Sequence, residues 1–93
     1  MATYKAQFDA TQSDDLQQKV QMAVEKKART IAAGGASAER NLAYSILSNP
    51  SAYRERFTVA VVSQADAVNP NDVAIDTAVG VVWPFFAIGL VSL

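Results

Sequence analysis

Apolar residues recur along this chain at intervals of three and four. Leu16, Val20, Ala23, Val24 and Ile31 share one face at 100° per residue, the spacing of an amphipathic helix. Ser13 precedes them as a candidate N-cap, and Asp14 and Asp15 fall in the first turn, where negative charge complements the helix dipole. Gly34–Gly35 supplies the stop. These signals predict a first helix over about residues 13–33. Ser37 caps a second of about residues 38–48, with Leu42, Ile46 and Leu47 on one face.

Asn49–Pro50 reads as a cap followed by N1, where a missing N–H costs nothing. It opens a third helix of about residues 50–64, carrying Tyr53, Phe57, Ala60 and Val61 inward. Its run "FTVAVV" is β-branched, but it has no hairpin partner and sits within a helical period, so helix is retained. Asn69–Pro70 repeats the device, with Asp72 at N3 of a capping box. Ala74, Ile75, Ala78, Val79 and Val82 continue at helical spacing, and Pro84 is expected to kink or end the helix near residue 83. The expected fold class is all-α: a small bundle or array of about four helices, residues 13–93, behind a flexible N-terminal arm over residues 1–12 and ending in an apolar tail.

That tail changes the picture. Asp76 is the last charged residue, so the final 17 positions carry no charge. The apolar and glycine stretch from Ala78 to Val91 is 14 residues long and broken by Pro84. A spanning helix needs ~20, and no Lys or Arg follows Trp83 to anchor it, so a membrane segment is disfavoured. Burial in the domain's own core is the default expectation; burial against another subunit is the alternative. Trp83, Phe85, Phe86, Ile88 and Leu90 are the candidate contact residues, the aromatics being favoured anchors of interfaces.

Composition adds mostly exclusions. The chain has 93 residues, 51% apolar and 18% charged, with a net charge of −1. No electrostatic footprint for nucleic acid results, and no direct nucleic-acid binding is expected. The charge is polarised: residues 1–56 hold all eight basic groups and six acids, a net +2, whereas residues 57–93 hold three aspartates, a net −3. Such halves suit head-to-tail stacking of copies. Cysteine and histidine are absent, which removes thiolate and imidazole metal sites and Cys–His or Ser–His nucleophiles.

The remaining candidates for chemistry have plain structural readings. Asp14–Asp15 are adjacent on a helix and do not face one another. Gly34–Gly35 lacks the Lys-Ser/Thr of a phosphate loop. Lys27 projects near the middle of the apolar stripe, where a lysine usually runs its stem past its neighbours to water. Arg54 and Arg56, in "RER", are candidates to grip an acidic partner, with a solvated face opposite Phe57 and Val61 as the plainer reading. No believable catalytic base is present, so the expectation is a non-enzyme with no cofactor and no metal.

The string "ATYKAQFDATQSDDLQQKVQMAVEKKARTI" resembles the opening of a group of small proteins from the structural gene modules of tailed bacteriophages. The resemblance rests on an aromatic-containing arm, a Ser-Asp cap and a helix carrying Leu16, Val20, Ala23, Val24 and Ala28. "SAERNLAYSILSNPSAYRERF" and "NPNDVAIDTAVGVVW" fit the order that follows, while "PFFAIGLVSL" departs from the polar ends of that group. The resemblance covers most of residues 2–83, as layout without a diagnostic motif. It implies a virion protein assembled in the bacterial host cytoplasm, present in several copies at the head–tail connector (neck) or on the capsid. Its partners would be copies of itself and portal, capsid or tail components. It carries over no catalytic residues. Other readings are a small tail-anchored or holin-like membrane protein, or a soluble helical adaptor.

Overall fold

A computed structural model describes Lys5, Asp9 and residues 11–65 and 71–87 of the chain. Among the described residues four helices have defined bounds: α1, Asp14–Gly34; α2, Ser37–Ser48; α3, Ser51–Ala65; and α4, Asp72–Ala87. No strand occurs among the described residues, and the protein is an all-α bundle. The β-branched run in "FTVAVV" is helical throughout.

The 21-residue α1 packs against all three other helices and serves as the spine. Its start is the one expected: the Leu16 N–H donates to Ser13 Oγ at 3.3 Å. Leu16, Val20, Ala23, Val24 and Ala28 form its buried stripe. At the other end the Gly35 N–H donates to the Ile31 carbonyl at 2.7 Å. A Cβ on Gly35 would stand 2.9 Å from that carbonyl oxygen and 2.7 Å from Ile31 Cγ2, whereas one on Gly34 meets nothing within 4 Å. Gly35 therefore serves close approach, and its neighbour has no such duty. Gly35→Ala is expected to cost about 1–3 kcal/mol through overpacking against backbone, and Gly34→Ala nothing, as read by urea denaturation. Equal costs at the two positions would contradict this.

Three helix starts differ from expectation. α3 begins at Ser51, so Pro50 stands just ahead of it and not at N1. Ser37 lies inside α2, and the cap position is Ala36, which provides no side-chain bond. At α4 the cap is Asn71, whose Oδ1 accepts from the Ala74 N–H at 2.8 Å, so Asp72 occupies N1 and not N3. Asn69 and Pro70 lie outside the described residues. Asn71→Ala should cost ~1 kcal/mol. Hydrogen exchange at the first turn of α4 checks it, because protection unchanged at Ala74 would rule the cap out. Between α2 and α3, Asn49 acts for both helices. Its N–H closes α2 on Ser45 and Ile46, while its carbonyl accepts from Ala52 as α3 begins.

Pro84 does not end α4. The helix runs on to Ala87 with the proline inside its last turn. A proline at this position costs the bond to the carbonyl four residues back, that of Gly80. Both residues are exposed, so water can serve the freed carbonyl. Continuing the helix carries Phe86 onto Phe57, ring centroids 4.0 Å apart and planes 13° apart.

The core combines the α1 stripe with Ala43 and Ile46 from α2, Phe57, Val61 and Val62 from α3, and Ile75, Ala78, Val79, Val82 and Trp83 from α4. Thr58 is the buried polar residue of α3. Its hydroxyl donates to the Arg54 carbonyl at 2.7 Å, so it brings no unpaired group inside.

Candidate functional site

Burial of Ile75, Ala78, Val79, Val82 and Trp83 fixes the roll of α4 about its axis. The opposite side is then dictated by the helical step of 100° per residue. It presents Val73, Thr77, Gly80, Val81, Pro84 and Phe85, all exposed. Val73 is 75% and Phe85 45% accessible. Asp72 and Asp76 sit at the N-terminal end of this face, and from Thr77 to Ala87 it carries no charge. Gly80 lies at the edge of this face nearest Asp76, and a Cβ there would meet nothing within 4 Å. A glycine at an exposed helix interior gives up ~1 kcal/mol relative to alanine. No packing against other helices of the bundle calls for it.

The candidate contact residues fall in different places. Phe85 is on the outer face. Trp83 is not: at 0% accessibility it belongs to the core, its ring centroid 6.2 Å from that of Phe57. Phe86 is partly buried against the same cluster. An interface built from all three aromatics together is therefore not what this fold presents, because positions 83 and 86 roll inward while 85 rolls outward. Ile88 and Leu90 lie outside the described residues, as does most of the arm over residues 1–12. Within the arm, Lys5 and Asp9 are helical and ion-paired at 2.9 Å, and Thr11 is buried.

Arg54 and Arg56 separate as well. Arg54 does not point to solvent. Its side chain is 24% accessible, and its guanidinium donates to Asp14 Oδ1 at 2.7 Å, tying α3 to the first turn of α1. Arg56 is exposed, with its guanidinium 5.8 Å from the centre of the Tyr53 ring. Asp14 thus has a tertiary task beside its place at the helix start, and Asp15 pairs with Lys19 at 3.4 Å.

A groove of about 560 Å³ runs between α1 and α4. Lys19, Met22, Ala23, Glu25, Lys26 and Arg29, net basic, form one wall, and Asp72, Ile75 and Asp76 the other. Lys26 reaches across to Asp76 at 3.9 Å. The two walls carry opposite charge and partly satisfy each other, so the groove offers no single-sign field to a ligand. Lys27 is half-buried, beside Ala23, Thr30, Asp76 and Val79.

Among the described residues no group of three or more acidic, His or Cys side chains could hold a metal ion. None of their helices is long and apolar enough to cross a membrane. Sequence reasoning missed Val73, Gly80 and Val81. The signal for Val73 and Val81 was the i, i+4 row of positions 73, 77, 81 and 85, which the larger aromatics overshadowed. Comparison of the chain with protein-family models, with curated proteins and with solved structures gave no match.

Proposed function

We propose that this chain is a non-enzymatic structural protein of a tailed-phage virion, present in several copies at the head–tail connector or on the capsid. The observation that carries the reading is the outer face of α4, partly apolar and uncharged from Thr77 to Ala87, on a helical bundle. Contiguous exposed apolar patches beyond a few hundred Å² mark sites that another subunit covers. The layout resemblance over residues 2–83 supports the same reading, as does a side-chain repertoire without histidine or cysteine. Copies of this chain and portal, capsid or tail components are the partners it would meet there. The role asks for shape and complementary faces and for no reacting group.

Quantitative mass spectrometry of particles purified from a lysate of the encoding phage tests it. The chain should be recovered at several copies per particle and should survive a high-salt wash. Its presence in the lysate together with its absence from washed particles would overturn the reading.

A further inference from the structure

We propose that the groove between α1 and α4 is closed by the same groove of a second copy, about a two-fold axis that runs along it. The inference rests neither on the outer face of α4 nor on where in a particle the chain sits.

Three observations select a second copy as the occupant. The first is that the two walls differ in sign. Lys19, Lys26 and Arg29 outweigh Glu25 on the α1 wall, while Asp72 and Asp76 make the α4 wall acidic. An occupant must therefore present both signs side by side, at the ~8–10 Å spacing of two packed helices. A second copy of the groove has them at that spacing by construction, and a two-fold contact of like patches needs nothing more.

The second is height along the groove. Lys26 and Asp76 face each other across it, Nζ 3.9 Å from Oδ2. Rotation about an axis lying along the groove exchanges the two walls and keeps every residue at its own height. Lys26 of each copy then stands over Asp76 of the other, and the four groups make a square of alternating charge. A two-fold axis across the groove would instead set basic wall on basic wall. Charge thus chooses between the two ways of laying the grooves in line.

The third is what a single copy leaves over. The Lys26 and Asp76 side chains are 73% and 52% accessible, so both can be shared with a partner. Arg29 and Asp72 have no ion pair among the described residues. Met22, 69% accessible, stands on the same wall and gains apolar cover from the contact. An isolated exposed ion pair contributes little, whereas a network of several charges does contribute. Residues 19–29 extend only ~15 Å along α1, so the dimer is a concentration-dependent equilibrium.

Charge exchange in the full-length chain tests the proposal. Lys26→Glu makes both members of the facing pair acidic, and Asp76→Lys makes both basic. Each variant alone should dimerise at least about tenfold more weakly than wild type in sedimentation equilibrium at low salt. An equimolar mixture of the two should recover most of the lost association as heterodimer, because each glutamate then faces a lysine of the other chain. A role for Lys26 and Asp76 confined to one copy could not give that recovery, since mixing restores the pair inside neither chain.

A mixture no more associated than its components overturns the proposal. So does a variant that dimerises as well as wild type, or a wild-type chain that remains monomeric to millimolar concentration. Wild-type association should also weaken several-fold on raising salt to ~0.5 M, and its persistence there overturns the proposal as well. The salt series needs no variant, so it decides the matter should either variant fail to fold. These readouts use purified protein alone: their failure leaves the particle-composition result standing, and failure of that result leaves these unaffected.

Discussion

Trp83→Ala is expected to lower the melting temperature by roughly 15–30 °C, the largest effect of any single substitution considered. The indole is fully buried at the seam between α3 and α4, with Phe57 beside it and Phe86 stacked on Phe57. Truncating a buried Trp costs about 3–5 kcal/mol, because transfer energy is lost and the cavity refills only in part. A domain of this size has roughly 5–15 kcal/mol in total, and each kcal/mol moves its midpoint by about 4–8 °C. The indole Nε1 is buried without a hydrogen-bond partner among the described residues, which carries its own cost of about 1–3 kcal/mol. Trp83→Phe removes that orphan donor while keeping an aromatic ring, so it should cost much less than Trp83→Ala. Circular dichroism melts of the two variants check both statements. A Trp83→Ala midpoint within 5 °C of wild type would mean that the residue is not part of the core.

Ile46→Ala comes next, at about 2–5 kcal/mol. α2 gives the core only Ala43 and Ile46 as fully buried residues, with Leu42 partly buried beside them. Ile46 is the larger, so its loss removes most of what holds α2 to α1. Leu47→Ala is the control: this leucine is 36% accessible, so its truncation should cost clearly less than that of the fully buried Ile46. Urea denaturation of the pair distinguishes them, and hydrogen exchange should locate the loss, with α2 amides exchanging first in Ile46→Ala. If Leu47→Ala costs as much as Ile46→Ala, the assigned roll of α2 is wrong.

That pair of neighbours also shows where sequence reading reaches its limit. Helical period placed Leu42, Ile46 and Leu47 on one face, and a twelve-residue helix against a single spine buries a narrower stripe than that, leaving Leu47 outside. The number of helices was legible because Ser13, Gly34–Gly35 and Asn49–Pro50 act locally, through backbone groups within a few residues. The cap of α4 was misplaced because Asn69 and Asn71 are both good caps, and Pro70 tipped the choice toward Asn69 through its preference for N1. Pro84 was expected to kink or end α4, and the ending failed for a different reason. Its local cost is real, but the gain that offsets it is tertiary: Phe86 reaching Phe57, 29 positions earlier in the chain. Arg54 was read as solvated because its partner, Asp14, is 40 residues away in sequence. For the candidate site, the charge-free stretch after Asp76 was plain from the start. Which of its residues face outward depends on the packing of α4 against α1 and α3, and composition holds no trace of that.

The position of Trp83 also gives the molecule a built-in reporter. It is the single tryptophan of the chain, so indole emission comes from one place, the seam where α3 meets α4. Ile46 belongs to the same core as the indole. Emission that holds steady while amide exchange in α2 quickens would mark partial release of α2 alone. Global unfolding would move both signals together. Light and exchange, followed on the same sample, thus tell a bundle that sheds one helix from a bundle that comes apart as a unit.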